Sequence, residues 1–317
     1  MEYVPIRIST LRGETIFEFN IYIQVREKYL LYIRQGDDID TSRLKRLKKK
    51  RVRQLFIETK DEEKYQNFLD VGLDMVINDS SIAADEKADM VGGYASTAVD
   101  EMAENPESVV AFKMTEKAAS GIVDVLAADG DVLAEIMKKS SESQEGDVGT
   151  KHGVNVASLC VALGTAMGLT KQAIRDLGVA GLLHDIGLNE LPDDKKHLLT
   201  TPYEKFTKED WKAYKAHPKS GAEVLNGKDY INPQILLLIK VHEERKSGDG
   251  FPEKLTKMEP IEEVIALASW YDRLVTCLGW THKDAFENLK IDQLGNFDMK
   301  ILDKFKKVLK EKGINNL

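Results

Sequence analysis

Cysteine is nearly missing from this chain. Cys160 and Cys277 are the only two thiols in 317 residues, and both stand in apolar helical surroundings. So low a count excludes a disulfide framework and a cysteine metal cluster, and buried thiols are expected. Long apolar runs are missing as well, since none approaches the roughly 18 residues that a membrane span requires. The opening MEYVPIRIST lacks the charged-then-apolar layout of a signal peptide, so a cytoplasmic protein without membrane attachment is expected. Positive charge is not in excess either: 45 Lys and Arg face 53 Asp and Glu. The net charge of -8 disfavours nucleic acid as a partner, because a polyanion is repelled on average.

One segment runs against that balance. RLKRLKKKRVR, residues 43–53, is strongly basic and follows Asp40, Thr41 and Ser42, which have the chemistry of a helix start. It is expected as a solvated helix face, with recognition of phosphate or an acidic partner as the sharper alternative.

The rest of the chain divides by pattern. Residues 3–35 alternate apolar and polar side chains in YVPIRIS, IFEFNIYIQV and KYLLYIR, predicting strands with turns near Gly13 and Gly36. QLFIET continues as a strand and DEEKYQNFLDVGLDMVI as a helix, closing a small α+β domain at residues 1–78. From Ser80 the composition turns to Ala, Glu, Asp, Met and Lys at helical spacing. A connecting helix is expected at 79–104 and a helical domain at 105–317, with a polar loop in KKSSESQEGDVGTKHG. The connecting helix is expected to mediate a homodimer or to transmit a signal between the domains.

The chemistry concentrates in the helical part. His152, Val156, Leu159, Leu163 and Ala166 fall on one inward stripe. Gly168 and Thr170 then mark a helix stop and a new N-cap. Ile174, Leu177, Gly181 and His184 form the inward stripe of the next helix, and Asp185 lies about 100° round from His184. Each inward histidine alone has a plain structural explanation as a hydrogen-bonded core residue. Together with His217 in AHPKSG and His242 in VHEERKSGDGFP, four of the six histidines and an aspartate occur on helix ends or turns. Imidazole with carboxylate suits iron, manganese or zinc, and a carboxylate can bridge two ions. His197 and His282 stand in polar surroundings and are expected at the surface.

The order His152, HDIG at 184–187, HP with a following glycine at 217–221, and HEERKSGDGFP at 242–252 resembles the HD-GYP family over about residues 105–310. The segments YVPIRISTL, YLLYIRQGD and LFIET resemble a domain often placed before such modules, which implies a regulatory role for 1–78. The resemblance implies a mainly α, all-helical HD-superfamily domain preceded by a small α+β domain. It also implies a metal-dependent cyclic-di-GMP phosphodiesterase with one or two iron ions, manganese or zinc being the other metals in question. His152 and His184 would hold one ion, His217 and His242 the other, with Asp185 bridging and Glu243 as a further oxygen ligand. Asp185 and His184 would be catalytic, and Arg245, Gly250, Phe251 and Pro252 would contact substrate.

The departures from the family pattern bear on activity. Leu188 replaces a lysine, Glu243 a histidine, Ser247 an aspartate, Phe251 a tyrosine and Ser269 a ligand aspartate, while Asp272 is kept. Asp272 is one helical turn from Ser269 and offers a substitute through water. Val148 stands where members with a third metal have a glutamate, so at most two ions are expected. These losses imply an eroded site with weak or no hydrolysis, serving to bind a cyclic dinucleotide or a signalling protein. The retained histidines and Asp185 imply the alternative, an active dinuclear phosphodiesterase.

Overall fold

The computed structural model describes residues 2–314 except 12, 14, 51, 53 and 143–146. Four short strands, β1 (Tyr3–Arg7), β2 (Ile21–Val25), β3 (Lys28–Ile33) and β4 (Gln54–Glu58), form an antiparallel sheet in the order β1-β4-β2-β3. Ile6, Ile21, Leu55 and Ile57 point to its buried face, as period-two alternation requires. The opposite face carries Tyr3, Tyr22, Tyr29 and Phe56 in mutual ring contact. IFEFN is not a strand as expected: Phe17 and Phe19 are buried from an irregular segment that precedes β2. The β2–β3 hairpin turns at Arg26 in the left-handed region, φ 57°, without a glycine.

Two helices complete the α+β unit. In α1 (Thr41–Lys49), Asp40 Oδ1 accepts from the Arg43 amide at 2.8 Å, which matches the expected start, and Leu44 and Leu47 are buried. Arg43 lies 4.1 Å over the Tyr32 ring. Arg46 and Lys50 are exposed, while the side chains at 45, 48 and 49 and residues 51 and 53 lie outside the described residues. α2 (Glu62–Asn78) follows, with Leu69, Leu73 and Val76 on its buried face.

The helical part begins with α3 (Ala84–Glu104), α4 (Val109–Ala128) and α5 (Val132–Glu142). α3 covers the stretch expected to connect the two parts; it packs along α4 and α5, and Val91, Ala95, Ala98 and Met102 are among its buried residues. Next come α6 (Val148–Met167), α7 (Lys171–Leu183), α8 (Lys208–Tyr214), α9 (His217–Leu225), α10 (Pro233–Val241), α11 (Pro260–Asp272), α12 (His282–Ile291) and α13 (Met299–Glu311). α6 is the central helix, buried almost all round. Asp147 caps it, accepting from the Thr150 amide, and Gly168 ends it in the left-handed region at φ 74°. Thr170 then caps α7, as the sequence suggests. One continuous apolar core runs from Ile6 to Ile314, and a smaller cluster gathers around Leu198, Tyr214 and Phe251. Among the described residues no helix is long and apolar enough to cross a membrane.

Candidate metal centre

Glycines set the distances between the elements that carry the histidines. A Cβ on Gly181 would lie 2.6 Å from the Ala157 Cα, so α6 and α7 touch backbone to backbone. That approach brings His152 Nε2 and His184 Nε2 to 3.1 Å. After α7 the chain makes a short 3-10 turn, Ile186–Glu190, in which a Cβ on Gly187 would lie 2.1 Å from the His217 carbonyl. The start of α9 therefore presses against this turn. His217 Nε2 and His242 Nε2 lie 2.9 Å apart.

Three of the four rings are aimed by the same device. His184 Nδ1 donates to the Gly181 carbonyl (2.8 Å), His217 Nδ1 to the Tyr214 carbonyl (2.7 Å) and His242 Nδ1 to the Ile239 carbonyl (2.7 Å). Each acceptor lies three residues earlier, in the last turn of α7, α8 or α10, where helices leave carbonyls without partners. The fourth ring, His152, donates from Nδ1 to Asp272 Oδ2 at 2.8 Å. Carbonyl and carboxylate oxygens only accept, so Nδ1 holds the proton in every ring. All four Nε2 lone pairs consequently point inward.

Between the two histidine pairs stands Asp185. Its Oδ2 is 3.4 Å from His184 Nε2 and 3.7 Å from His152 Nε2, while Oδ1 is 3.2 Å from His217 Nε2 and 3.5 Å from His242 Nε2. Oδ2 is buried and has no hydrogen-bond partner. Burial opposes ionisation of Asp185, but His184, His217 and His242 outweigh it and hold the carboxyl well below its usual range. Burial pushes the His242 imidazole down to about 4. It also acts against a charge on His184, where the Asp185 carboxylate prevails and raises the pKa.

These atoms fit metal ions. Paired imidazole lone pairs about 3 Å apart repel each other until a cation lies between them, and metal–nitrogen bonds of about 2.1 Å give ligand spacings of this size. Two groups have donor atoms close enough for one ion each: His152, His184 and Asp185, and Asp185, His217 and His242. The C-termini of α7, α8 and α10 add partial negative charge around them.

Glu243, expected as a further oxygen ligand, lies outside both groups. Its Oε1 accepts from the Tyr214 hydroxyl (2.9 Å) and the Tyr203 hydroxyl (3.1 Å), and Oε2 from Arg245 Nη2 (3.4 Å). His242 is turned back to Ile239, and the next residue on the helix end faces a different direction. Asp272 is likewise more than a distant substitute: it orients His152 directly and is itself held by Asn155 Nδ2 (3.1 Å) and Thr276 Oγ1 (3.0 Å). A carboxylate behind a ligand histidine fixes its tautomer and direction. Ser269 is buried on α11. Leu188 packs with Leu198, Tyr214 and Phe251, so this wall is apolar where the family pattern has a lysine.

Arg245, Gly250 and Phe251 line a pocket of about 230 Å³ beside the second group, with Tyr203, Trp211 and Trp270. A Cβ on Gly250 would lie 2.3 Å from the Arg245 amide nitrogen, so the turn lies flat on residues 244 and 245. Glu244 pins that turn by accepting from the amides of Glu253, Lys254 and Leu255. Pro252 follows Phe251 through a cis peptide bond. Arg273 carries no local pattern that singles it out, yet it is buried, donates to the Thr201 carbonyl at 2.8 Å and lies 3.9 Å over the Tyr203 ring. Of the two histidines expected at the surface, His197 is exposed, but His282 is half-buried, its Nδ1 2.9 Å from the Tyr271 hydroxyl.

An HD domain profile matches residues 132–301. The structure of Bd1817, an HDG"Y"P protein from Bdellovibrio bacteriovorus, is 30% identical, with a TM-score of 0.79 over 98% of this chain and 100% of that one. The chain belongs to the HD-GYP family. Its relatives include the cyclic di-GMP phosphodiesterase PA4108 of Pseudomonas aeruginosa, 28% identical over 164 residues, 50% of this chain and 38% of that protein. The cyclic di-GMP phosphodiesterase response regulator RpfG of Xanthomonas campestris is 31% identical over 144 residues, 43% and 37% of the two chains. The chain thus spans well under half the length of these curated relatives.

Proposed function

We propose that this HD-GYP protein is a cyclic-di-GMP phosphodiesterase of bacterial signalling that works with a reduced dinuclear metal centre. The observation carrying this reading is the Asp185 carboxylate, with one oxygen directed at each histidine pair. His152, His184 and Asp185 would hold one ion, and Asp185, His217 and His242 the other. Iron suits this nitrogen and oxygen set, and manganese or zinc meets the same donors. Bound ions would supply Lewis acidity toward a phosphodiester and a nucleophile at neutral pH.

The chain's own residues do the rest. Asp272 and three helix ends hold the imidazoles in one tautomer, so no rotation is needed when an ion or substrate arrives. Phe251 and Leu188 make a dry wall beside the second group, and Arg245 brings positive charge toward an anionic substrate. Residues 1–78 take a regulatory role in this reading. Support for it comes from Arg7 on β1, which pairs with Asp100 on α3, whose other oxygen accepts from the Thr150 hydroxyl on α6 at 2.8 Å.

A second reading, a nucleotide-binding module with little turnover, is favoured by Leu188 in place of a lysine and by the engagement of Glu243 with two tyrosines. The test is anaerobic loading with ferrous iron or manganese, followed by chromatography of cyclic-di-GMP reactions. Linear product that disappears with chelator and with Asp185→Asn is expected. Tight binding without product selects the second reading.

A further inference from the structure

A small cavity of about 70 Å³ lies where β1, α3, α5 and α6 meet. Among the described residues that line it, three are cations, Arg7 on β1, Lys139 on α5 and Lys151 on α6, against one carboxylate, Asp89. That balance is contrary to the chain's own, whose net charge is -8. Lys139 meets Asp89 at 2.8 Å, and Arg7 pairs with Asp100, which is not part of the wall. An ammonium has three donors and a guanidinium five, so neither contact uses up the donors of its cation. The Arg7 and Lys139 side chains are only 12% and 26% exposed, so water and salt screen their charge less than at the surface. Gly92 bares the α3 backbone to this space: among the described residues, a Cβ there would meet nothing within 4 Å.

We propose that this junction cavity is an anion site that takes one phosphate group, and that its occupation loosens His152. Charge selects the ligand. Two negative charges would balance three cations and one carboxylate, and a phosphate group approaches that charge near neutral pH. Size agrees: a water-sized group needs about 10–15 Å³, so about 70 Å³ takes roughly five of them, as many as the non-hydrogen atoms of a phosphate. A free phosphate ion and a phosphate carried on a larger molecule share this chemistry.

The route to the metal centre begins in the cavity wall, at Ser140. Its hydroxyl donates to Asn155 Oδ1 at 2.8 Å, Asn155 Nδ2 donates to Asp272 Oδ1 at 3.1 Å, and Asp272 Oδ2 accepts from His152 Nδ1 at 2.8 Å. A serine hydroxyl has one proton to give. A phosphate oxygen that takes it leaves Asn155 Oδ1, on a buried residue, without that donor. Asn155 then turns toward another partner, and its hold on Asp272, the carboxylate that aims His152, slackens. The effect at His152 rests on the metal-centre reading; the anion site does not.

The experiment starts with the full chain, freed of metal by chelator and titrated with inorganic phosphate by calorimetry. One saturable site is expected, and it should be lost in Gly92→Leu, whose side chain fills the cavity while favouring the helix. Lys139→Gln decides the matter should Gly92→Leu not fold: it should weaken phosphate at least about tenfold, because a hydrogen bond to a charged group is removed. Titration with O-phosphoserine distinguishes the sources, since binding of the ester selects a carried group and its exclusion a free ion. No saturable binding, or equal phosphate affinity in parent and variant, would overturn the proposal. Manganese titrations with and without phosphate then test the link to His152. Phosphate should lower the manganese affinity of the parent at least about fivefold more than that of Gly92→Leu, for which complexation in solution is the same. Equal losses in the two proteins would overturn the link. Phosphate binding in a chain that takes up no manganese would defeat the metal-centre reading alone, and manganese binding without a phosphate site would defeat this proposal alone.

Discussion

At the scale of single residues, the two carboxylates Glu243 and Asp272 show how far spacing alone reaches. Glu243 follows His242 and Asp272 lies one helical turn from Ser269, and the family resemblance implies a ligand role for the first and a water-mediated substitute for the second. The structure gives Asp272 to His152 and Glu243 to Tyr203, Tyr214 and Arg245. The difference lies in side-chain direction at a helix end, which depends on partners from α8, α11 and the turn before them, and these are far away in sequence. His152, His184, Asp185, His217 and His242 were legible because inward stripes and helix ends are local patterns. Asp272→Ala should leave the fold intact and lower metal affinity by about 10- to 100-fold, because His152 loses its orienting partner. Calorimetric titration with manganese checks this, and unchanged affinity would remove the orienting role. Joint replacement His184→Ala and Asp185→Ala should abolish bound metal, read as iron, manganese and zinc per chain by elemental analysis. The same variant should also melt at a lower temperature than the metal-loaded parent, since binding only to the folded state adds stability.

At the scale of elements, the helices of the second half were readable where a stripe, a cap and a stop agreed. Gly168 and Thr170 separate α6 from α7 where the pattern places the break. Strand boundaries were less legible. IFEFN alternates like a strand but packs Phe17 and Phe19 without a ladder, and the hairpin turns at Arg26, a residue that carries no turn signal. Distances between helices were not legible at all, because a glycine on an apolar stripe does not say what touches it. Gly181 is such a case, with the Ala157 backbone where its side chain would be. Gly181→Ala has to push α6 and α7 apart and should cost about 1–3 kcal/mol. It should also loosen the His152–His184 pair, so thermal unfolding and metal stoichiometry ought to fall together. A variant that melts lower while still holding two ions would show that the pair does not depend on this contact.

Across the whole molecule, the compound order of histidine motifs is enough to point to the family, since four motifs at these separations rarely occur together by chance. What the order did not reveal is how the α+β unit meets the helix that carries His152. The core is continuous from Ile6 to Ile314, and the polar link from Arg7 through Asp100 to Thr150 ends two residues before His152. A displacement of β1 would therefore be felt at the N-terminal part of α6, which presents His152 to the candidate metal centre. Asp100 is the middle of the link and its side chain is 41% exposed, so Asp100→Ala removes both contacts with little loss of packing. Energetic coupling between separated sites is typically about 0.5–2 kcal/mol, which corresponds to a change in metal affinity of about two- to thirtyfold. The variant should weaken metal binding by an amount in that range while its far-ultraviolet circular dichroism stays that of the parent. Equal manganese affinity in the two proteins would mean that β1 and the metal centre are energetically separate, and a regulatory signal from residues 1–78 would have to travel by another route.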